Sequence, residues 1–303
     1  MVKGGTGTVV WKPPKRLGLI VALLALLFLV ATAFIVAHSL IEQEIGPGFF
    51  SKILWLICNA ALLIVGLRWA VELGSLRYRL DRDTLTIHCG THKRIVPLAD
   101  IEDVVPATKF QKANGFTGLH WPGYWRGRLH LEKVGDVRVY ATEPTERLLI
   151  AVTDGGGYAI SPQDAKEFLR DYAMRRDMGP LHPTTEHVEY GPAAGWPVWQ
   201  DTLFWGIFAA GALICLILSG YLMWRYQELP PRLILRLPAQ GGLGRVASKG
   251  HLLVIPGLGV AILITNALLG ILLHLWERLG AYLLIVTAVG IQLLFTFALV
   301  SIL

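Results

Sequence analysis

The residues best suited to chemistry in this 303-residue chain lie together in Asn114-Gly115-Phe116-Thr117-Gly118-Leu119-His120-Trp121-Pro122-Gly123-Tyr124-Trp125-Arg126-Gly127, with Arg128 just beyond. Phe116, Trp121, Tyr124 and Trp125 supply large apolar rings, and the tryptophans and tyrosine add a polar tip. That combination suits a membrane interface or a protein partner. Arg126 and Arg128 add guanidinium groups able to meet lipid phosphates. The interspersed glycines let the chain turn tightly. The expected chemistry is therefore recognition, directed at membrane lipids, an anionic lipid surface or a protein partner. A rival reading turns the same rings inward, where they cover the open mouth of a sheet.

Catalytic patterns are not found. The sequence contains no Walker loop, zinc-protease motif or nucleophile elbow. Gly241-Gly242-Leu243-Gly244 is glycine-rich but follows no strand that would make it a phosphate loop. His182 and His187 lack a third ligand, so no metal is expected and no cofactor is implied. Cys58 and Cys215 fall in apolar runs and Cys89 in an alternating segment, which reads as three small buried residues. The net charge of +6 is spread over flanks and polar segments rather than gathered in a stripe. This pattern speaks against nucleic acid and for anionic headgroups. A non-enzymatic protein is expected, and its oligomeric state is not legible.

The elements that must position these residues begin with five apolar runs. Hydrophobic residues make up 53% of the chain and charged ones 17%, a balance foreign to a soluble domain. The runs cover about 17–37, 53–71, 203–224, 252–273 and 282–303, each near the ~20 residues a helix needs to cross a bilayer. The first follows Lys12, Lys15 and Arg16, as a secretory signal would, and Ala31-Thr32-Ala33 offers a small-residue cleavage pattern. Its apolar stretch nevertheless continues through Phe34, Ile35 and Val36, which favours a retained anchor. Basic residues before the first run, and Arg68, Arg77, Arg79 and Arg82 after the second, place the N-terminus and the polar segment in the cytoplasm. The link from Arg225 to Lys249 then falls outside although it carries Arg232, Arg236 and Arg245, against the charge rule. Within the runs, Asn59, Thr265, Asn266, Thr287 and Gln292 are expected to face other helices, since unpaired polar groups in hydrocarbon are costly. His38, His251 and His274 lie near span ends.

Between the second and third runs the pattern changes to short alternating segments at 78–80, 85–89, 94–96, 101–105, 128–132, 137–141, 148–152 and 158–160, the strands of an antiparallel sheet. Asp154-Gly155-Gly156-Gly157 reads as a hairpin turn. A helix is expected from Ser161, with its hydroxyl as cap, Pro162 at the first position and Asp164 in the first turn. Its buried stripe would be Phe168, Leu169, Tyr172 and Ala173, with Arg170, Arg175 and Arg176 outward. Residues 179–200 read as a connector to the next span, with Trp196 and Trp199 at the interface.

A small sheet followed by one helix resembles a pleckstrin-homology (PH) domain. The glycine and aromatic segment, Arg94 to Leu98 followed by Ile101, Val139-Tyr140-Ala141-Thr142 and Ser161-Pro162 resemble bacterial PH-like domains tethered to membrane spans. The resemblance covers about 77–176 and implies a binding or scaffolding module. Dense basic clustering of the phosphoinositide-binding kind is not present among His88, His92, Lys93 and Arg94. After the third run, Leu229-Pro230, Gly241 and Ser248-Lys249 resemble the loop of a membrane domain of unknown function shared by Sdp-type immunity proteins. Arg236 and Leu237 stand where that family has histidine and an aromatic, and Gly244 and Val246 where it has aspartate and tryptophan, so architecture alone carries over.

The reading is an α+β membrane protein with five transmembrane helices and an inserted PH-like antiparallel sheet domain closed by a C-terminal helix. Its parts are a cytoplasmic N-terminus (1–16), a transmembrane hairpin (17–74), the cytoplasmic PH-like domain (75–178), a linker (179–200) and a three-helix transmembrane domain (201–303). The expected location is the bacterial plasma (inner) membrane. The expected role is scaffolding or regulation, with an Sdp-type immunity or signalling receptor, or a small-solute transporter, as the alternative.

Overall fold

A computed structural model describes residues 2–3, 8–109, 113–132, 134–143, 148–182, 184–192, 194–235 and 245–302. In chain order the elements are β1 (Val2–Lys3), β2 (Val9–Trp11), α1 (Arg16–Ser39), α2 (Pro47–Ser75), β3 (Arg77–Leu80), β4 (Thr84–Cys89), β5 (His92–Pro97) and β6 (Ile101–Pro106). There follow β7 (Ala113–Trp121), β8 (Tyr124–Leu131), β9 (Gly135–Ala141), β10 (Leu149–Thr153), β11 (Gly156–Ile160), α3 (Ala165–Met178) and β12 (His187–Tyr190). The chain ends with α4 (Thr202–Arg225), β13 (Arg232–Leu235), β14 (Arg245–Ser248), α5 (Val254–Leu273) and α6 (Arg278–Ile302). It divides into two compact units, Met1–Thr32 with Ala60–Ala194, and Ala33–Asn59 with Gly195–Leu303.

The first unit holds two six-stranded sheets, ordered β1-β2-β3-β4-β5-β12 and β6-β10-β11-β9-β8-β7. The core between named strands follows from their alternation: β4 reads Thr84-Leu85-Thr86-Ile87-His88-Cys89, and Leu85, Ile87 and Cys89 are the buried members. With Tyr78, Val96 and Ile101 they form one apolar body, to which α3 contributes Phe168 and Tyr172. Trp11 meets Phe168 edge to face at 5.6 Å. A second body gathers Leu131, Val137, Val139, Ile150 and Ala159.

Several expectations change here. The sheets are not wholly antiparallel, because β11 runs parallel to β9, pairing Tyr158 with Arg138 and Ala159 with Val139. The glycine and aromatic segment is a hairpin of β7 and β8, joined by Pro122-Gly123. A proline followed by a glycine at φ +85° is the sequence of a type II turn. Gly118 and Gly127 face each other across the ladder, where an added Cβ on Gly118 would lie 2.4 Å from the Arg126 carbonyl oxygen. These glycines serve close strand approach.

The cap of α3 is Asp164, whose carboxylate accepts from the Glu167 N–H at 3.0 Å. Ser161 is instead buried in the sheet, its Oγ accepting from the Thr142 N–H at 2.8 Å. Cys58 is exposed on its apolar helix, whereas Cys89 and Cys215 are buried. On α3, Ala173 is exposed and Arg175 is buried against Asp171, one turn earlier. The connector also contains structure: β12 adds to the edge of β5, pairing His187 with Ile95 and Tyr190 with His92.

Among the described residues, five helices are long and apolar enough to cross a membrane: Arg16–Ser39, Pro47–Ser75, Thr202–Arg225, Lys249–Leu273 and Arg278–Ser301. They display large exposed apolar residues, among them Phe28, Phe34, Ile64, Leu268 and Phe297, that water alone would disfavour. In the second unit α4, α5 and α6 pack together, with Leu218, Leu222 and Leu299 in one buried group. Gln292 is buried and donates Nε2–H to the Gly259 carbonyl at 2.6 Å, joining α6 to α5. Asn59 is buried as well. Asn266 bonds its own helix at Ile262, and Thr265 and Thr287 are exposed, contrary to expectation. Thr287 returns its hydroxyl to the Leu283 carbonyl one turn earlier, which satisfies it without a partner helix. The link after α4 forms the β13–β14 pair, Arg232 opposite Ser248. Arg236, Leu237 and the Gly241-Gly242-Leu243-Gly244 run lie outside the described residues, as does Pro183 in the connector.

Candidate functional site

Strand alternation separates the six residues singled out in the sequence. Trp121, Tyr124 and Arg126 share one face of the hairpin, while Phe116 and Trp125 share the other. Tyr124 is fully buried, its hydroxyl 3.7 Å from Cys89 Sγ, and burial pushes the phenol well above its ordinary value. The Trp121 ring lies 4.7 Å from Tyr124 and 5.9 Å from Trp69 of α2. On the opposite face Phe116 meets Trp125 edge to face at 5.2 Å, and His120 stacks on Trp125 at 5.0 Å. Phe116 and Trp125 are half-buried against the second apolar body. Arg128 is exposed and sits opposite Arg138 in the β8–β9 ladder.

Arg126 ends on Glu72, near the C-terminal end of α2, through a hydrogen-bonded ion pair. The Glu72 side chain is 4% exposed and also accepts from Arg68 Nε at 3.3 Å, one turn back along the helix. Burial is the largest influence and works against the Arg126 charge, but the hydrogen bond to Glu72 and the negative charge of Glu72, Cys89 and Tyr124 together outweigh it, so the guanidinium is held protonated. Nearby, Lys15 donates to the Gly74 carbonyl at 2.6 Å, and the Gly90 N–H donates to Ser75 Oγ at 2.6 Å. Gly18 of α1 and Gly123 of the hairpin touch through backbone: a Cβ on Gly123 would lie 2.4 Å from Gly18 N. The hairpin thus fastens the sheet domain to both of its N-terminal helices. Glu72 escapes sequence reasoning because it stands just past the apolar run; its signal is Arg68 four residues earlier on the same helix face.

The free polar surface lies elsewhere, in an open groove of about 410 Å³ bordered by Asp100, Arg128, Asp136, Arg138, Asp154 and Glu186. The buried Tyr158 forms its hub. Its hydroxyl oxygen accepts from Arg94 at 3.0 Å and Arg138 at 3.1 Å, and its hydroxyl donates to Glu186. Burial, and then the bond to Glu186, hold the phenol above its ordinary value. Glu186 also pairs with Arg94 at 3.0 Å and with Arg138 at 3.8 Å. Two guanidinium groups and a phenol therefore converge on one carboxylate, the geometry of anion recognition. Only the parallel pairing of β9 with β11 brings Arg138 beside Tyr158, so spacing along the chain gives no sign of this group.

His182 and His187 are not brought together. His182 lies 3.5 Å from Asp83, and His187 donates its Nδ1–H to the Thr185 carbonyl at 2.8 Å. Among the described residues, no three His, Cys, Asp or Glu side chains gather as a metal site.

No curated protein and no solved structure matches this chain. A family model does match: residues 76–176, one third of the chain, fit the one described as Bacterial PH domain. The match runs from the residue before β3 through most of α3, so it takes in the fastened hairpin and Arg94, Arg138 and Tyr158, and excludes Glu186 and β12. Residues 76–176 of this chain are a bacterial PH domain.

Proposed function

We propose that this is a non-enzymatic integral protein of the bacterial plasma membrane whose PH domain, closed by α3 and held in the cytoplasm, binds a protein partner or an anionic lipid surface as a scaffold or regulator. One observation carries the reading. The bacterial PH domain stands between helices long enough to span a bilayer, and its β7–β8 hairpin is ion-paired to α2 through Arg126 and Glu72. A domain fixed in that way presents its remaining charged surface, Arg128 and the Tyr158 groove, at a set place relative to its own anchor. Rigid presentation of a recognition surface is the task of a scaffold.

The location is tested with Lys166→Cys in a background lacking Cys58, Cys89 and Cys215, in intact cells. Reaction with a membrane-impermeant maleimide only after permeabilisation is expected, and labelling of intact cells overturns the cytoplasmic reading. Binding is tested by a photo-crosslinking residue at Arg128 in the native membrane. A discrete protein or lipid adduct is expected; no adduct from Arg128, Asp136 or Asp154 overturns the binding role.

A further inference from the structure

The last strand of the first sheet does not come from the PH domain. The matched domain ends at residue 176, and the edge it leaves, β5, is covered by residues 187–190 of the connector. Proline and glycine bound this short piece, at Pro180 before it and at Gly191-Pro192 after it. It sits as an added peptide would: backbone pairing along β5, then side-chain pockets at alternate positions.

The charges are complementary along the whole contact. The domain offers His92, Lys93, Arg94 and Arg138, and the added strand brings Glu186 and Glu189. Glu186 fills the Arg94–Arg138–Tyr158 pocket. Glu189 lies 3.3 Å from Lys93 with both side chains half exposed, and Tyr190 packs edge to face on His92 at 5.0 Å. Of the four paired residues Val188 alone is half-buried, and the rest are exposed. Little apolar surface holds the strand down, and exposed ion pairs contribute little. Its tether adds to the holding, since a short covalent link gives an effective concentration on the order of millimolar.

We infer that the β5 edge and the Arg94–Arg138–Tyr158 pocket form a recognition site for an extended acidic strand of a protein partner, with residues 186–190 as an in-chain occupant that the partner displaces. The pattern recognised is a glutamate entering the two-arginine pocket, a second acid three residues later against Lys93, and an aromatic next to it on His92. This inference rests on the reading of the domain as a binding module and adds both the class of partner and its control.

The test uses the full chain in detergent micelles and a fluorescent peptide copying residues 184–192. In E186K/E189K the connector is repelled from the basic edge while the site itself is untouched. This chain is expected to bind the peptide about ten-fold or more tighter than the wild type, whose own strand competes. A peptide with glutamine at both glutamate positions, applied to the same protein, is expected to lose the binding. No binding by the opened chain, equal binding by wild type and variant, or equal binding of the glutamine peptide overturns the inference. Concentration-dependent dimers of the wild type, abolished in E186K/E189K, would assign the edge to a second copy and overturn the partner. If peptide binding fails while the Arg128 adduct persists, this inference falls alone; if the adduct is missing too, the binding role falls with it.

Discussion

Glu72 is the most consequential single residue for the domain's attachment, because a nearly buried carboxylate at the end of an apolar helix has to be compensated, and Arg126 and Arg68 do so. Glu72→Gln keeps the shape but leaves the Arg126 charge without its counterion. A loss of about 2 kcal/mol is expected, in the range for hydrogen bonds to charged groups. Thermal unfolding of the detergent-solubilised chain measures it, and a double-mutant cycle with Arg126→Gln should be strongly non-additive. Additive losses would show that the two residues act separately.

Lys15 gives a pH signature. Burial, and then the charges of Lys12 and Arg77, lower its amine from 10.5 to about 8. Between those values the unfolded chain binds more protons than the folded one, so stability contributed at this position rises with pH from 8 to 10.5. The penalty on the charged amine is present below pH 8 and is relieved above it. The difference in melting temperature between wild type and Lys15→Met should accordingly rise in favour of wild type across that window; a flat difference would mean the amine titrates normally.

At the scale of elements, the hairpin β7–β8 is both a part of the sheet and the clamp on α1 and α2. Gly123 is required twice, by its φ of +85° and by the contact with Gly18. Gly123→Ala is expected to destabilise the domain by at least about 1 kcal/mol, since neither the backbone angle nor the space suits a methyl group. It should also separate Trp121 from Trp69, seen as altered tryptophan fluorescence, whereas Gly115→Ala changes a positive-φ glycine with open space around it and should leave that signal in place. The sequence shows why this clamp was only half legible. Alternation located β3 to β6, the second half of β8 and β9 to β11, and the aromatic content of 114–127 marked the right segment. Its glycines suggested a loop, because the cross-strand approach of Gly118 to Gly127 is visible only once β7 and β8 are paired. Similarly, α3 was legible from its stripe, but Asp164 takes the cap expected of Ser161, because the serine hydroxyl is taken by the Thr142 N–H.

For the whole molecule, the long apolar runs were legible because each is a local pattern, whereas the added strands β2 and β12 were not, since Val9–Trp11 and His187–Tyr190 become strands only by pairing with distant partners. The second unit has its own organising residue. Asp201 caps α4 through the Leu203 and Phe204 N–H groups, and its other oxygen accepts from His274 Nε2 at 2.8 Å and Tyr282 Oη at 2.5 Å. Those hydrogen bonds, from Tyr282 first and then His274, hold the carboxyl well below the usual carboxylate range. Its contribution is therefore fully present at neutral pH and is lost only as pH falls through that lowered value. Asp201→Asn preserves a cap oxygen and removes the charge. It should speed hydrogen exchange at the start of α4 and of α6 together, with Asp201→Ala, which also removes the cap, faster still; unchanged exchange at α6 would show that the cluster does not join the helices.

The pairing of β2 with β3 has a consequence for how the protein is made. Val9–Trp11 precedes both N-terminal helices and its partner Arg77–Leu80 follows them, yet the two are hydrogen-bonded. If the two helices enter a bilayer, their outer ends must return to one side, so the number of crossings between them is even. At about 5–20 residues per second, the first strand waits several seconds on the ribosome's exit side for a partner not yet translated. Completion of the first sheet is thus a late event, and a tag or truncation reaching Val9 would be felt in the sheet beyond the two helices.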